Sequence, residues 1–197
     1  MTQSDFTSQW SGSPMVITPA EALQRAALSP ESRSFLGSIG LPSNALWFDK
    51  GSGAIMCFDS VAILRELFET DVSERTWRAV AKMGRLTILG VQAGAFVVAD
   101  ESGRMFLVKS DKNANSLVDP DWKATIFVNQ SPSHFAVCLL AYKNMHDVFN
   151  REAFNFDAPS LRQAVSTFRR IIENADEKAL AEEYNYWAQV LDHLDVW

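Results

Sequence analysis

The stretch RLTILGVQAGAFVVADESGRMFLV, Arg85 to Val108, decides the fold class. Leu86-Thr87-Ile88-Leu89, Ala95-Phe96-Val97-Val98 and Met105-Phe106-Leu107-Val108 are short runs rich in β-branched and aromatic side chains, separated by Gln92-Ala93-Gly94 and Asp100-Glu101-Ser102-Gly103. Such runs, broken by glycine-bearing turns, predict a β-meander. The glycines supply the positive φ that tight hairpins need. These strands carry no catalytic motif, so the meander speaks to architecture and leaves function to the rest of the chain.

Upstream, Met1 to Pro14 is polar and Ser-rich and reads as a flexible leader, 1–14, with Phe6 and Trp10 able to dock on a body spanning 15–197. Thr18-Pro19-Ala20-Glu21 has a capping threonine, proline at the first helical position and glutamate at the third, predicting a helix to about Leu28. Ser29-Pro30-Glu31 repeats the signal, with Phe35, Leu36 and Ile39 at helical spacing before Gly40. Leu41-Pro42 leaves in an extended direction. Leu46-Trp47-Phe48 and Ala54 to Phe58 then suggest a strand pair around Asp49 to Gly53. From Ser60 to Lys82, Val61, Leu64, Leu67 and Phe68, then Trp77, Val80 and Ala81, predict one or two inserted helices.

Downstream, polar loops at Lys109 to Asn115 and around Asp119-Pro120-Asp121 lead to a strand at Thr125 to Val128. Ser131-Pro132-Ser133 starts a helix whose apolar stripe is Phe135, Cys138, Leu139, Tyr142 and Met145. Asp157-Ala158-Pro159 starts another, carrying Leu161, Val165, Phe168 and Ile172, and the last helix or pair runs from about Asp176 with Tyr186-Trp187 and Val190-Leu191-Leu194 as its apolar face. Antiparallel strands followed by segregated helices predict an α+β fold, a single domain with a mainly antiparallel curved sheet and helices packed on one side.

Composition narrows the function classes. The 197 residues are 47% hydrophobic, enough for a proper core, and carry a net charge of -6. That balance argues against direct nucleic-acid binding, which needs clustered Lys and Arg. The N-terminus lacks the basic and apolar regions of a signal peptide, and no apolar window spans a membrane, so a cytoplasmic location is expected. Cys57 and Cys138 sit in apolar surroundings without a CxxC spacing and read as two reduced thiols.

His134 and Cys138 are four apart on a helix, with His146 beyond, but a metal site needs three or four converging ligands and no second cluster is visible. Gly51-Ser52-Gly53 lacks the rest of a phosphate loop. Adjacent acids such as Glu182-Glu183 diverge on a helix and do not form a catalytic pair. No cofactor, metal or enzymatic activity is therefore expected. Charge distribution is the feature above background: Glu173, Asp176, Glu177, Glu182, Glu183, Asp192 and Asp195 face only Lys178 in the C-terminal tail and account for the whole surplus. Such a tail is either a solvated helix face or an acidic surface that steers a basic partner.

Ser34-Phe35-Leu36 with Gly40-Leu41-Pro42, Leu89-Gly90, the Gly103 turn, Phe127 to Ser131 with Phe135, and Tyr186-Trp187 with Val190-Leu191 together resemble the SUKH superfamily, most closely its fourth subfamily. The order of these motifs covers about Ser29 to Leu194. The stretch 60–82 is longer and more helical than the family pattern, and the residues before Thr18 are unmatched. The resemblance implies a curved sheet flanked by helices and a non-enzymatic role. Many bacterial members are immunity proteins of polymorphic toxin systems, which bind and inhibit a cognate toxin, often a nuclease or nucleic-acid deaminase. It makes Gly40, Leu41, Pro42, Gly90, Gly103, Asn129, Phe135 and Trp187 fold determinants.

Charge and loop position, independently of the family, nominate Asp119, Asp121 and Trp122 with Glu182, Glu183, Asp192 and Asp195 as the partner surface, Trp122 as aromatic anchor and the carboxylates as rim. The alternatives are a regulatory or scaffold domain of the same fold with a partner that is not a toxin, and a small-ligand binder using a cleft on the sheet, for which the sequence supplies no candidate set.

Overall fold

The structure is a computed structural model that describes residues 3–10, 13–47, 54–58, 65–92, 94–110, 123–152 and 158–195. A six-stranded antiparallel sheet runs in chain order: β3 (Asn44–Trp47), β4 (Ala54–Cys57), β5 (Leu86–Gln92), β6 (Ala95–Asp100), β7 (Met105–Lys109) and β8 (Thr125–Asn129). The meander is β5 to β7, where the turn residues placed it. Strands β1 (Met15–Val16) and β2 (Leu41–Pro42) form a separate small antiparallel pair. Helices α5 (Pro132–Arg151), α6 (Pro159–Ala175) and α7 (Tyr186–Asp195) follow the strands, so the α+β arrangement stands as expected.

Alternation along the strands gives the sheet two apolar faces. Ala95, Val97, Ala99, Met105, Leu107 and Val128 pack with the large helical core, whereas Leu86, Ile88, Val98 and Val108 belong to a second cluster. That second cluster is completed by Leu67, Val72 and Val80, the last on α4 (Glu74–Val80). The three long helices thus share one face, and the inserted segment covers part of the other. The register shifts between Ile88 and Gly90, leaving Leu89 without an opposite residue on β6. A bulge there reverses the in-out phase of β5 and strengthens its local twist.

Several helix starts follow from their caps. Ser29 accepts the Ser32 amide at the head of α3 (Pro30–Ser38), Ser73 that of Thr76 on α4, and Ser131 that of His134 on α5. Each is a side-chain oxygen satisfying an otherwise orphaned amide. The expected Thr18 cap is corrected: helix α2 (Ala20–Arg25) begins one residue later, with Pro19 in the cap position and no side-chain bond. Thr18 is instead buried, its amide donating to the Leu36 carbonyl. Residues 65–67 also depart from the helical reading. The Leu67 amide donates to Leu86 and the Ile88 amide to Arg65, so this piece lies along β5 as an extended bridge. Val61 and Leu64, Phe48 with the expected turn at Asp49 to Gly53, and residues 111–122 lie outside the described residues.

The N-terminal stretch is not a loose leader where it is described. Gln3–Gln9 forms α1, and Phe6 and Trp10 are 1% and 6% exposed within the main core. Their aromatic area outweighs the polar character of the residues between them. Gly40 turns the chain out of α3 at a φ of 78°, and a Cβ there would lie 2.1 Å from the Val16 carbonyl oxygen. The same glycine thus ends a helix and admits β1 against β2. Gly40→Ala should lower the urea unfolding midpoint by more than Gly94→Ala, which shares the positive φ but has open space around it. The left-handed conformation costs roughly 1–2 kcal/mol at either site, and only Gly40 adds the backbone collision.

Candidate functional site

Two places in the described structure gather polar groups with a definite geometry, one buried and one exposed, and the segment 176–187 connects them. The buried one begins at Asp176. Its side chain has no solvent exposure, and its oxygens accept from Asn129 Nδ2 at 3.0 Å, the Gln130 amide at 2.7 Å and Gln130 Nε2 at 3.0 Å. Asn129 in turn accepts the indole N–H of Trp187 at 2.8 Å and contacts Cys138 Sγ at 3.5 Å. Phe135, Tyr142, Phe168 and Tyr186 surround Trp187 with ring centroids 4.8 to 6.5 Å away. Buried polar atoms are tolerated only when paired, and here the pairing crosses from β8 to the end of α6 and the start of α7.

This arrangement joins three elements of the fold. Burial pushes the Cys138 thiol up to about 12, so it remains protonated and poorly nucleophilic at neutral pH. Burial likewise raises the Tyr142 hydroxyl to about 12 and lowers His146. His134 Nδ1 lies 4.0 Å from Asp176 Oδ2, too far for a hydrogen bond. Among the described residues no group of three His, Cys, Asp or Glu side chains is placed to hold a metal.

Asn129, Phe135 and Trp187 meet in one cluster. Gly40, Leu41 and Pro42 form the β1–β2 junction, and Gly90 is buried beside the bulge in β5. Gly103 sits at a φ of 95°, where a Cβ would come within 2.7 Å of Ser32 Oγ at the head of α3.

The exposed place is the turn from Glu182 to Asn185. The Asn185 amide donates to the Glu182 carbonyl at 3.0 Å, which makes Glu183 and Tyr184 its corner residues. Asn185 Nδ2 donates to the Lys178 carbonyl at 2.8 Å and Gln189 Nε2 to the Tyr184 carbonyl at 2.7 Å, fixing the turn to both flanking helical pieces. Glu182 and Glu183 are exposed, and so is Asp192 on α7, about 9 Å along the helix axis from its first residue. Lys123 places its ammonium 3.5 Å from the centroid of the Tyr184 ring. The residue that follows Trp122 in the chain is therefore seated at this turn.

Asp119, Asp121 and Trp122 themselves lie outside the described residues, as does the Asp195 side chain. One acid of the tail is removed from the surface, since Asp176 is buried. Glu173, Glu177, Glu182, Glu183 and Asp192 remain exposed, with Lys178 as the exposed base among them.

Sequence reasoning counted Asp176 as surface charge and passed over Tyr184 and Lys123. Asp176 did leave a signal, because Phe168, Ile172 and Asp176 recur at intervals of four on the buried stripe of α6. Nothing in the spacing marked Tyr184 or Lys123, which meet only through tertiary structure.

Replacing Asn129 by Leu should cost about 2–3 kcal/mol in chemical denaturation, because it removes one of the three donors to a buried carboxylate and leaves the Trp187 indole N–H without its acceptor. The thiol and phenol give a second expectation. Each keeps its proton in the folded state above the pH at which it ionises in the unfolded chain, so stability is full below about pH 9 and falls as pH rises toward 12. Each group contributes a slope approaching 1.4 kcal/mol per pH unit. Cys138→Val should flatten the alkaline decline of the urea midpoint, whatever its effect at pH 7.

Neither the curated proteins nor the solved structures include a match to this chain. The family model of the SUKH-4 immunity proteins, by contrast, matches residues 6–193, from the buried Phe6 of α1 to His193 near the end of α7. With the order of its motifs, the antiparallel sheet and that match, the chain belongs to the SUKH-4 immunity protein family.

Proposed function

We propose that this protein acts in immunity by binding a cognate toxin directly and blocking it, with no catalytic step and no cofactor of its own. Family membership supports the immunity role. The reading of a direct, charge-guided contact rests on the exposed acids of the C-terminal segment, which outnumber its single base, with Glu182 and Glu183 held on a turn fixed at both ends. The contact surface is centred on Glu182 and Glu183 and extends to Asp192 and Asp195, with Asp119, Asp121 and Trp122 contributed by the stretch that ends beside Lys123.

The partner that fits such a surface is a basic protein acting in the cytoplasm, of the kind that grips nucleic acid: a nuclease or a nucleic-acid deaminase. Carboxylates that occupy the place of phosphates raise the association rate and fix orientation, and they exclude partners of like charge. An aromatic side chain supplies the desolvated anchor that charge alone does not.

Co-expression with the product of the neighbouring gene tests this reading, scored by cell survival and then co-purification. Rescue with a stable complex is expected. In the purified complex, Glu182→Lys with Glu183→Lys should slow association about tenfold or more at low salt and flatten its dependence on ionic strength. Unchanged binding with an unchanged salt response would remove the acidic surface from the contact. A neighbouring product that is neither toxic nor bound would favour a regulatory domain with a partner of another kind.

A further inference from the structure

We infer that α1 is a strap that docks on the main core and releases from it while the rest of the chain stays folded, opening the sites of Phe6 and Trp10 to solvent without unfolding. The inference is independent of the proposed toxin contact and rests on an indole that the fold buries without a partner.

Trp10 is 6% exposed, yet its indole N–H has no hydrogen-bond partner. A donor taken out of water and left unpaired works against the burial of the ring that carries it. Trp187 shows the contrast. It too is buried, but its indole N–H donates to Asn129 at 2.8 Å. Docking of Trp10 is therefore driven by apolar contact and opposed by an unmet donor, whereas packing and hydrogen bonding act together on Trp187.

The backbone of Trp10 is bonded locally, its amide donating to the Thr7 carbonyl and its carbonyl accepting from the Ser13 amide. Helix α1 has seven residues, too few to stay helical in water without the core beneath it. Just beyond it, the chain is fastened independently. Ser13 Oγ donates to the Asn44 carbonyl at 2.8 Å and accepts from the Asn44 amide at 3.1 Å, and the Pro14 carbonyl accepts from the Ser43 amide at 2.7 Å. These bonds secure the approach to β1 whether or not α1 is docked. Release returns the indole N–H to water and gives residues 3–10 back their conformational freedom, and both gains oppose the burial of the two rings. A segment with this balance opens before the elements around it and uncovers the part of the main core that Phe6 and Trp10 fill.

Hydrogen exchange of the two indole N–H groups, followed by NMR on the full-length protein over a series of low urea concentrations, tests this. The Trp10 indole proton is expected to exchange at least about a hundredfold faster than that of Trp187, at a rate that barely responds to urea, because opening a strap exposes little surface. Phe6→Ala removes the other anchor of the strap and should speed Trp10 exchange about tenfold or more, with Trp187 exchange unchanged.

Equal rates and equal urea responses for the two indoles would mean that α1 opens only with the whole fold, and would overturn the inference. A Phe6→Ala protein that fails to fold, or in which both indoles accelerate alike, would do the same. Trp10 exchange that is fast but indifferent to Phe6→Ala would mean that water reaches the indole without release of α1, and would overturn it as well.

Discussion

A single buried carboxylate constrains much of this molecule. Asp176 has no exposed surface, and the donors that satisfy it come from the last residue of β8 and the residue after it. A carboxylate removed from water costs several kcal/mol unless its lone pairs are filled, so the end of α6 is held to the end of the sheet by the penalty of any other placement. The same Asn129 that donates to Asp176 accepts from Trp187. One amide side chain, a donor at one atom and an acceptor at the other, therefore fixes the arrival of α6 and the departure of α7. Apolar packing around Trp187 supplies most of the attraction in this region, while the polar chain selects one register among the many that apolar packing would tolerate.

The sheet makes a complementary demand. A strand order that follows the chain needs no crossover within the sheet, and with α5, α6 and α7 gathered on one face the opposite face would be left apolar. The segment before the meander answers this by laying Leu67 along β5 and Val80 of α4 over Ile88, Val98 and Val108. The bulge at Leu89 lies beside this cover, and alternation along β5 places Leu86 and Ile88 toward it and Leu89 toward the main core. The stretch between Ser60 and Lys82 is, in its described part, the cover of the second face.

What was legible in the sequence was what local chemistry determines. Serine-proline pairs marked the starts of α3 and α5, glycine turns marked the hairpins, and apolar stripes marked the buried sides of α5 and α6, because caps, positive φ and helical period act within a few residues. Leu67 and Phe68 were misread as helical because two apolar residues in a short run fit either period, and pairing with β5 decided the matter from outside the segment. Phe6 and Trp10 show the same limit: their neighbours are polar, and only the existence of a core to receive them orders the stretch. Asp176 is the most instructive case. Its charge said surface and its spacing said core, and the spacing was the better guide because donors from Asn129 and Gln130 were waiting in a part of the chain more than forty residues away.

The buried network and the exposed acids are parts of one construction. Residues 176 and 187 are both bound to Asn129, so the chain between them is a closed excursion whose two ends are pinned to one side chain in the core. Within that excursion lie the helical turn Glu177–Leu180 and the turn bearing Glu182, Glu183 and Tyr184, further tied by Asn185 and Gln189. A surface held in this way loses little conformational freedom when a partner arrives, and that saving appears directly as affinity. Flexible acids on a frayed terminus would steer a basic protein equally well from a distance yet would have to be ordered on contact. On the proposed reading of those acids as a contact surface, the depth at which Asp176 is buried bears on binding as well as on folding, because it sets how rigidly the carboxylates beyond it are presented.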